Sequence, residues 1–382
     1  MLPIGVLRYG NNAMSLLRWL PGIVVLVPWL LAPLTPSNEV RIRDLAGPDS
    51  FRLLDWETRN LAERAPRLWA GLFGSTSVQP SDASTLQTYF HTSPRPRDQQ
   101  AQVEAALERL VGQAYQAGGL SRSEPLPLDH LFPPVLVALT SPPDVLVIAP
   151  RTELRVLGSS VMQALDVPAQ ERLEASADST NVSSLVAPIG GLASYPSMVL
   201  DEDAADRVLA AVAHEWLHQY LIFYPLGSGY WNSQETREIN ETTAEMIGQE
   251  VGGRLADSLG LTPQPAPRAP RAAQPAFDFT SFMRETRLQT EQFLTDGQID
   301  SAESYMRARR DELLQHGYQI RKLNQAYFAL YGSYGGGFAA SPANPIPALL
   351  RTLRAQSPTL GDFVVRIRGI TTVAQLRAAV QA

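Results

Sequence analysis

Two of the chain's five histidines, His214 and His218, stand four residues apart in the run VLAAVAHEWLHQYLIFY over 208–224. Residues at that spacing project from one helix face, one turn apart, so both imidazoles can reach a single ion. The side chains around them are almost all apolar, which marks a buried helix rather than a surface one. Asp201, Asp203 and Asp206 give it an acidic N-terminal turn, and Pro225 with Gly227 ends it. Glu215 therefore sits in an apolar setting, where an unpaired carboxylate is costly and something must compensate it. A divalent cation is the simplest candidate. One position after the first His, the Glu215 carboxylate falls beside that ion's open position without binding it. The competing reading is a hydrogen-bonded pair of core histidines.

Two ligands do not complete a site. Downstream, SQETREINETTAEMIGQEVGGRL predicts a second helix, antiparallel to the first across the PLGSGYWN turn. Glu238, Glu241 and Glu245 share one of its faces at helical spacing. His214-Glu215-x-x-His218 followed by Asn240-Glu241-x-x-x-Glu245 resembles the gluzincins, the thermolysin-like clan of zinc metallopeptidases. The resemblance covers about residues 183–255. It implies one Zn²⁺ per chain, held by His214, His218 and Glu241, with Glu245 as the carboxylate that orients a ligating His. It implies peptide hydrolysis by an activated water, with Glu215 as general base and then acid. The substrate is then a peptide or protein. The chain departs from the clan's usual string in having Glu245 where Asp is common. The third His of metzincins is absent. Gluzincins also use a Tyr or His to stabilise the oxyanion. Tyr230, His316, Tyr318 and Tyr327 are the candidates, with Tyr318 or Tyr327 preferred.

Those helices need a frame. The expected class is α+β: a mostly helical, zincin-type core with a small β-sheet and a C-terminal helical subdomain. Residues 45–120 form a helical N-terminal region, carried by the amphipathic run DQQAQVEAALERLVGQAYQAG. Residues 125–261 form the catalytic core. Within it, PPVLVALTSPPDVLVIAP predicts two strands joined as a hairpin. SSLVAPIGGLASYPSMV predicts a third, which the resemblance to the gluzincins places at the edge of the cleft, where an extended peptide could pair. Gly190 and Gly191 interrupt it, either as a bulge or to allow close backbone approach. A Pro-, Ala- and Arg-rich linker at 262–276 leads to the C-terminal helical subdomain, 277–382.

Residues 1–39 carry the remaining signal. Positions 19–38, between Arg18 and Glu39, hold no formal charge, and such a run is long enough to span a bilayer as a helix. It reads as a single-pass signal anchor with the body outside the cytoplasm, or as a cleaved signal peptide that would make the protein secreted. The net charge of -6 gives no electrostatic case for a nucleic-acid partner. With no Cys, disulfides and thiolate metal sites are excluded. The alternative function is a membrane-anchored binding or scaffold protein that keeps zinc for stability. A multi-spanning intramembrane protease is excluded, because only one such run exists.

Overall fold

The computed structural model describes residues 47–73, 77–120, 131–262, 277–333 and 337–382. The run at 19–38 lies outside them, as does 263–276 of the expected linker. Among the described residues no helix is long and apolar enough to cross a membrane. The class is α+β, mostly helical with little sheet.

Helices α1 (Leu53–Phe73), α2 (Asp82–His91) and α3 (Gln100–Tyr115) come first. On α3, Val103, Ala106, Leu107, Leu110 and Val111 recur at three- and four-residue spacing and are all buried, so one stripe faces the core. The sheet region follows, with β1 (Val137–Thr140), β2 (Asp144–Pro150), β3 (Gly158–Met162), α4 (Val167–Asp178), β4 (Val182–Pro188), β5 (Gly191–Leu192) and β6 (Ser197–Leu200).

The expected hairpin does not form. β1 pairs in parallel with β6, and β2 lies antiparallel between β3 and β4. A tight hairpin turn needs positive φ at its centre, whereas Pro142 and Pro143 hold φ near −65°. The chain therefore leaves one sheet and enters another. Instead of one small sheet there are two, ordered β1-β6-β5 and β3-β2-β4. Alternation along β2 serves two cores: Val147 and Ala149 face the helices that follow, while Leu146 and Ile148 join Leu173 of α4.

The remaining helices are α5 (Ala205–Leu221), α6 (Gln234–Ser258), α7 (Phe279–Thr295), α8 (Ile299–Gln315), α9 (Gln325–Tyr331), α10 (Ile346–Ala355), α11 (Leu360–Ile367) and α12 (Val373–Gln381). A single helical turn, Pro225–Ser228, lies between α5 and α6. The expected C-terminal subdomain, 277–382, is not one unit. Phe282 and Met283 of α7, Met306 and Leu313 of α8 and Phe328 of α9 pack on β2 and β4. Leu350, Phe363 and Leu376, from α10 to α12, return to the main core with α3, α5 and α6. Arg354 of α10 fastens this return by donating Nε and Nη2 to the two Glu250 oxygens at 2.9 and 2.7 Å.

Candidate metal centre

The back of α5 fixes its front. Trp216 is fully buried; its indole N–H donates to the Pro133 carbonyl at 2.8 Å, and its ring lies 4.2 Å from that of Tyr115. The Tyr115 hydroxyl donates to the Ala213 carbonyl at 2.8 Å. Gln219 Nε2 reaches Ser197 Oγ at 2.8 Å and ties the helix to β6. Held on that side, α5 turns His214 and Glu215 toward a cleft of ≈1110 Å³ that also receives His218.

Helix α6 is capped by Ser233, whose side chain accepts from the Thr236 amide. Asn240 Nδ2 anchors it to the Leu226 carbonyl at 3.1 Å. It approaches α5 closely because it carries glycines where they meet. A Cβ on Gly248 would lie 2.8 Å from the Ala210 carbonyl oxygen and 3.0 Å from His214 Cβ, and one on Gly252 would overlap the Ala210 backbone. The pairing of Gly252 with Ala210, and of Glu241 with His218, shows the two helices antiparallel.

Three donor atoms converge where they face each other. His214 Nε2 and His218 Nε2 are 3.0 Å apart, and Glu241 Oε2 lies 3.8 Å from the first and 3.6 Å from the second. Ligands on a tetrahedral zinc, with bonds near 2.0–2.2 Å, stand about 3.4 Å from one another. The observed triangle fits that spacing, and two imidazoles with one carboxylate suit a borderline-soft divalent ion. His214, Glu215 and His218 also offer one atom each within 4.8 Å of one another. Glu245 Oε2 is 3.7 Å from His214 Nδ1, beyond direct hydrogen bonding. Glu238 turns elsewhere: its carboxylate accepts from Gln234 and Asn344.

Burial and mutual attraction set the charges of the four groups. Burial, reinforced by His218, pulls the His214 imidazole down to about 3 and keeps it neutral, the form that coordinates metal. Burial pushes Glu215 up to about 8. Burial would lower His218 as well, but the Glu241 carboxylate outweighs it and raises the imidazole. The same attraction overcomes burial at Glu241 and holds its carboxyl low.

Not every candidate reaches the cleft. Tyr318 stacks on Phe279 at 4.6 Å, and His316 on Phe277 at 3.9 Å. Tyr327 is buried in the second core. None of these three lines the cleft; Tyr331, one turn past Tyr327 on α9, does. Tyr230 also lines it, with its hydroxyl donating to Glu241 Oε1. Gly191 meets the Glu215 carboxylate so closely that any Cβ would strike it, which makes Gly191 the position of close approach, while a Cβ on Gly190 would meet nothing within 4 Å. Arg237 and Tyr331 went unnoticed in the sequence. Their types are ordinary, and only the fold brings them to the site. Comparison of the chain with family models, with curated proteins and with solved structures finds no match.

Proposed function

We propose that the chain is a membrane-anchored zinc metallopeptidase. The observation that supports it is the convergence of His214, His218 and Glu241 from two antiparallel helices, with Glu215 beside them in an open cleft. A zinc ion held there by His214, His218 and Glu241 would polarise a carbonyl and acidify a water. Glu215 is placed to take the proton of an attacking water and to return it to the leaving nitrogen. Glu241 stays ionised as third ligand, supported by the Tyr230 hydroxyl on its other oxygen. The free edge of β5, which pairs only with β6 among the described residues, offers main-chain groups to an extended peptide. Residues 19–38 tether the body, which faces away from the cytoplasm.

The test is Glu215→Gln. It keeps size while removing the proton acceptor, so zinc content by emission spectroscopy and thermal stability should stay at the parent level. Hydrolysis of a broad peptide library should fall on the order of 10²–10⁴-fold. An inactive parent, with a variant that loses folding rather than turnover, would instead make the chain a zinc-stabilised scaffold.

A further inference from the structure

We infer that Arg237, in the wall of the cleft, binds a carboxylate of the substrate one or two residues from the bond that is cut. The inference rests on the peptidase reading for what is cut, and on Arg237's own surroundings for the carboxylate. Arg237 is only 8% exposed and lines the cleft. Its Nε is buried without a hydrogen-bond partner, and among the described residues no carboxylate pairs with its guanidinium. A buried charge in that state carries a large penalty.

The rest of the fold does not treat arginine this way. Arg287, equally buried, donates Nε to Glu291 at 2.7 Å and Nη1 to the Phe328 and Ala339 carbonyls at 3.0 and 2.7 Å. Around Arg237 the two nearest anions are already engaged. Glu238 accepts from Gln234 and Asn344, and Glu241 faces the two imidazoles and Tyr230. What does touch Arg237 is aromatic, with Cζ 4.4 Å from the Trp231 ring centre and 5.3 Å from that of Tyr230. Stacking uses the guanidinium's face and orients its plane. It leaves the forked N–H edge unfilled, and that edge matches a carboxylate bidentately.

Position sets the register. Arg237 precedes Glu241 by one helical turn, about 5–6 Å between Cβ atoms. An extended peptide advances about 3.3–3.6 Å per residue. A carboxylate on Arg237 therefore belongs to the substrate's C-terminus just past the scissile bond, or to an Asp or Glu side chain equally near it.

The experiment measures binding, with turnover followed separately. Zinc-loaded Glu215→Gln protein, with and without Arg237→Gln, is titrated calorimetrically with three short N-acetylated alanine peptides. One is a free acid, one its C-terminal amide, and one an amide carrying a single glutamate. One of the charged peptides should bind about 10- to 100-fold more tightly than the neutral amide, the worth of a charge-assisted pair. Arg237→Gln should abolish that advantage without weakening the neutral amide's binding or lowering the melting temperature. Preference for the free acid assigns the C-terminal carboxylate, and preference for the glutamate amide assigns a side chain. Equal binding of all three, or equal weakening of all three by Arg237→Gln, overturns the proposal. Should Arg237→Gln fail to fold, Arg237→Lys keeps the charge but not the fork, and full retention of the preference by it would overturn bidentate recognition. A parent protein that hydrolyses no peptide yet keeps the Arg237-dependent preference would sink the peptidase reading and leave only carboxylate binding by Arg237 standing.

Discussion

Glu241 has two oxygens with two tasks: Oε2 faces the imidazoles, and Oε1 takes the Tyr230 hydroxyl. Removing that hydroxyl leaves the carboxylate free to rotate. Tyr230→Phe should therefore lower zinc affinity about 10- to 100-fold, the usual cost of losing a ligand's supporting partner. Glu241→Ala should lose stoichiometric zinc outright; competition with a chelator measures both. Stoichiometric zinc in Glu241→Ala would show that another carboxylate is the third ligand. At this scale legibility followed sequence distance. His214, Glu215 and His218 lie within one and a half turns, so spacing alone brings them together. Tyr230 was legible as a type, but its partner was not, because the contact runs from the turn to a carboxylate two turns into α6. Tyr318 and Tyr327 were chosen by type as well, and aromatic packing claims both.

At the scale of elements, the separation of α5 and α6 decides whether three donors can meet. Two adjacent glycines on α6 behave differently. Gly252 has the Ala210 backbone against it, while Gly253 has nothing within 4 Å. Gly252→Ala should cost about 1–3 kcal/mol by forcing the helices apart, and should weaken zinc binding as Glu241 recedes. Gly253→Ala should stabilise by about 0.5–1 kcal/mol, since alanine is the better helix former and meets open space. Urea denaturation of both variants reads the contrast, and equal effects would mean the helices do not approach as described. The two helices themselves were readable from the apolar run and the caps. The strand pairing was not. The runs in PPVLVALTSPPDVLVIAP are strands, but which edge each one joins depends on turn geometry that adjacency in sequence conceals.

For the molecule as a whole, burial of acids should set the pH profile of stability. Glu57 is buried on α1, accepts the Tyr195 amide at 2.9 Å, and is pushed up to about 7 by that burial. Glu108 accepts the Val137 amide at 3.0 Å and is raised to about 8, again by burial. Both folded-state values lie above those of the unfolded chain, so the native state holds these protons more tightly. Their contribution is fully present below about pH 4.5 and is lost as pH rises through 7 and 8. Glu57→Gln with Glu108→Gln should remove that slope, changing the difference from the parent by several kcal/mol between pH 5 and 8. Denaturant midpoints across that range measure it, and parallel curves would refute the burial account. At this scale the class was legible from composition and periodicity, but the grouping of helices was not. An amphipathic helix announces that it has a partner, never which one.

The return of α10 to α12 to the core of α5 and α6 also orders events in time. Residues 214–241 emerge before α10 to α12, yet the surface that seats their helices includes Leu350, Phe363 and Leu376. A chain still on the ribosome thus carries every ligand of the centre before it has the wall behind them. Translation postpones the site's completion until α10 to α12 have emerged, so the two helices that carry the donors wait on a distant part of the chain for their packing partners.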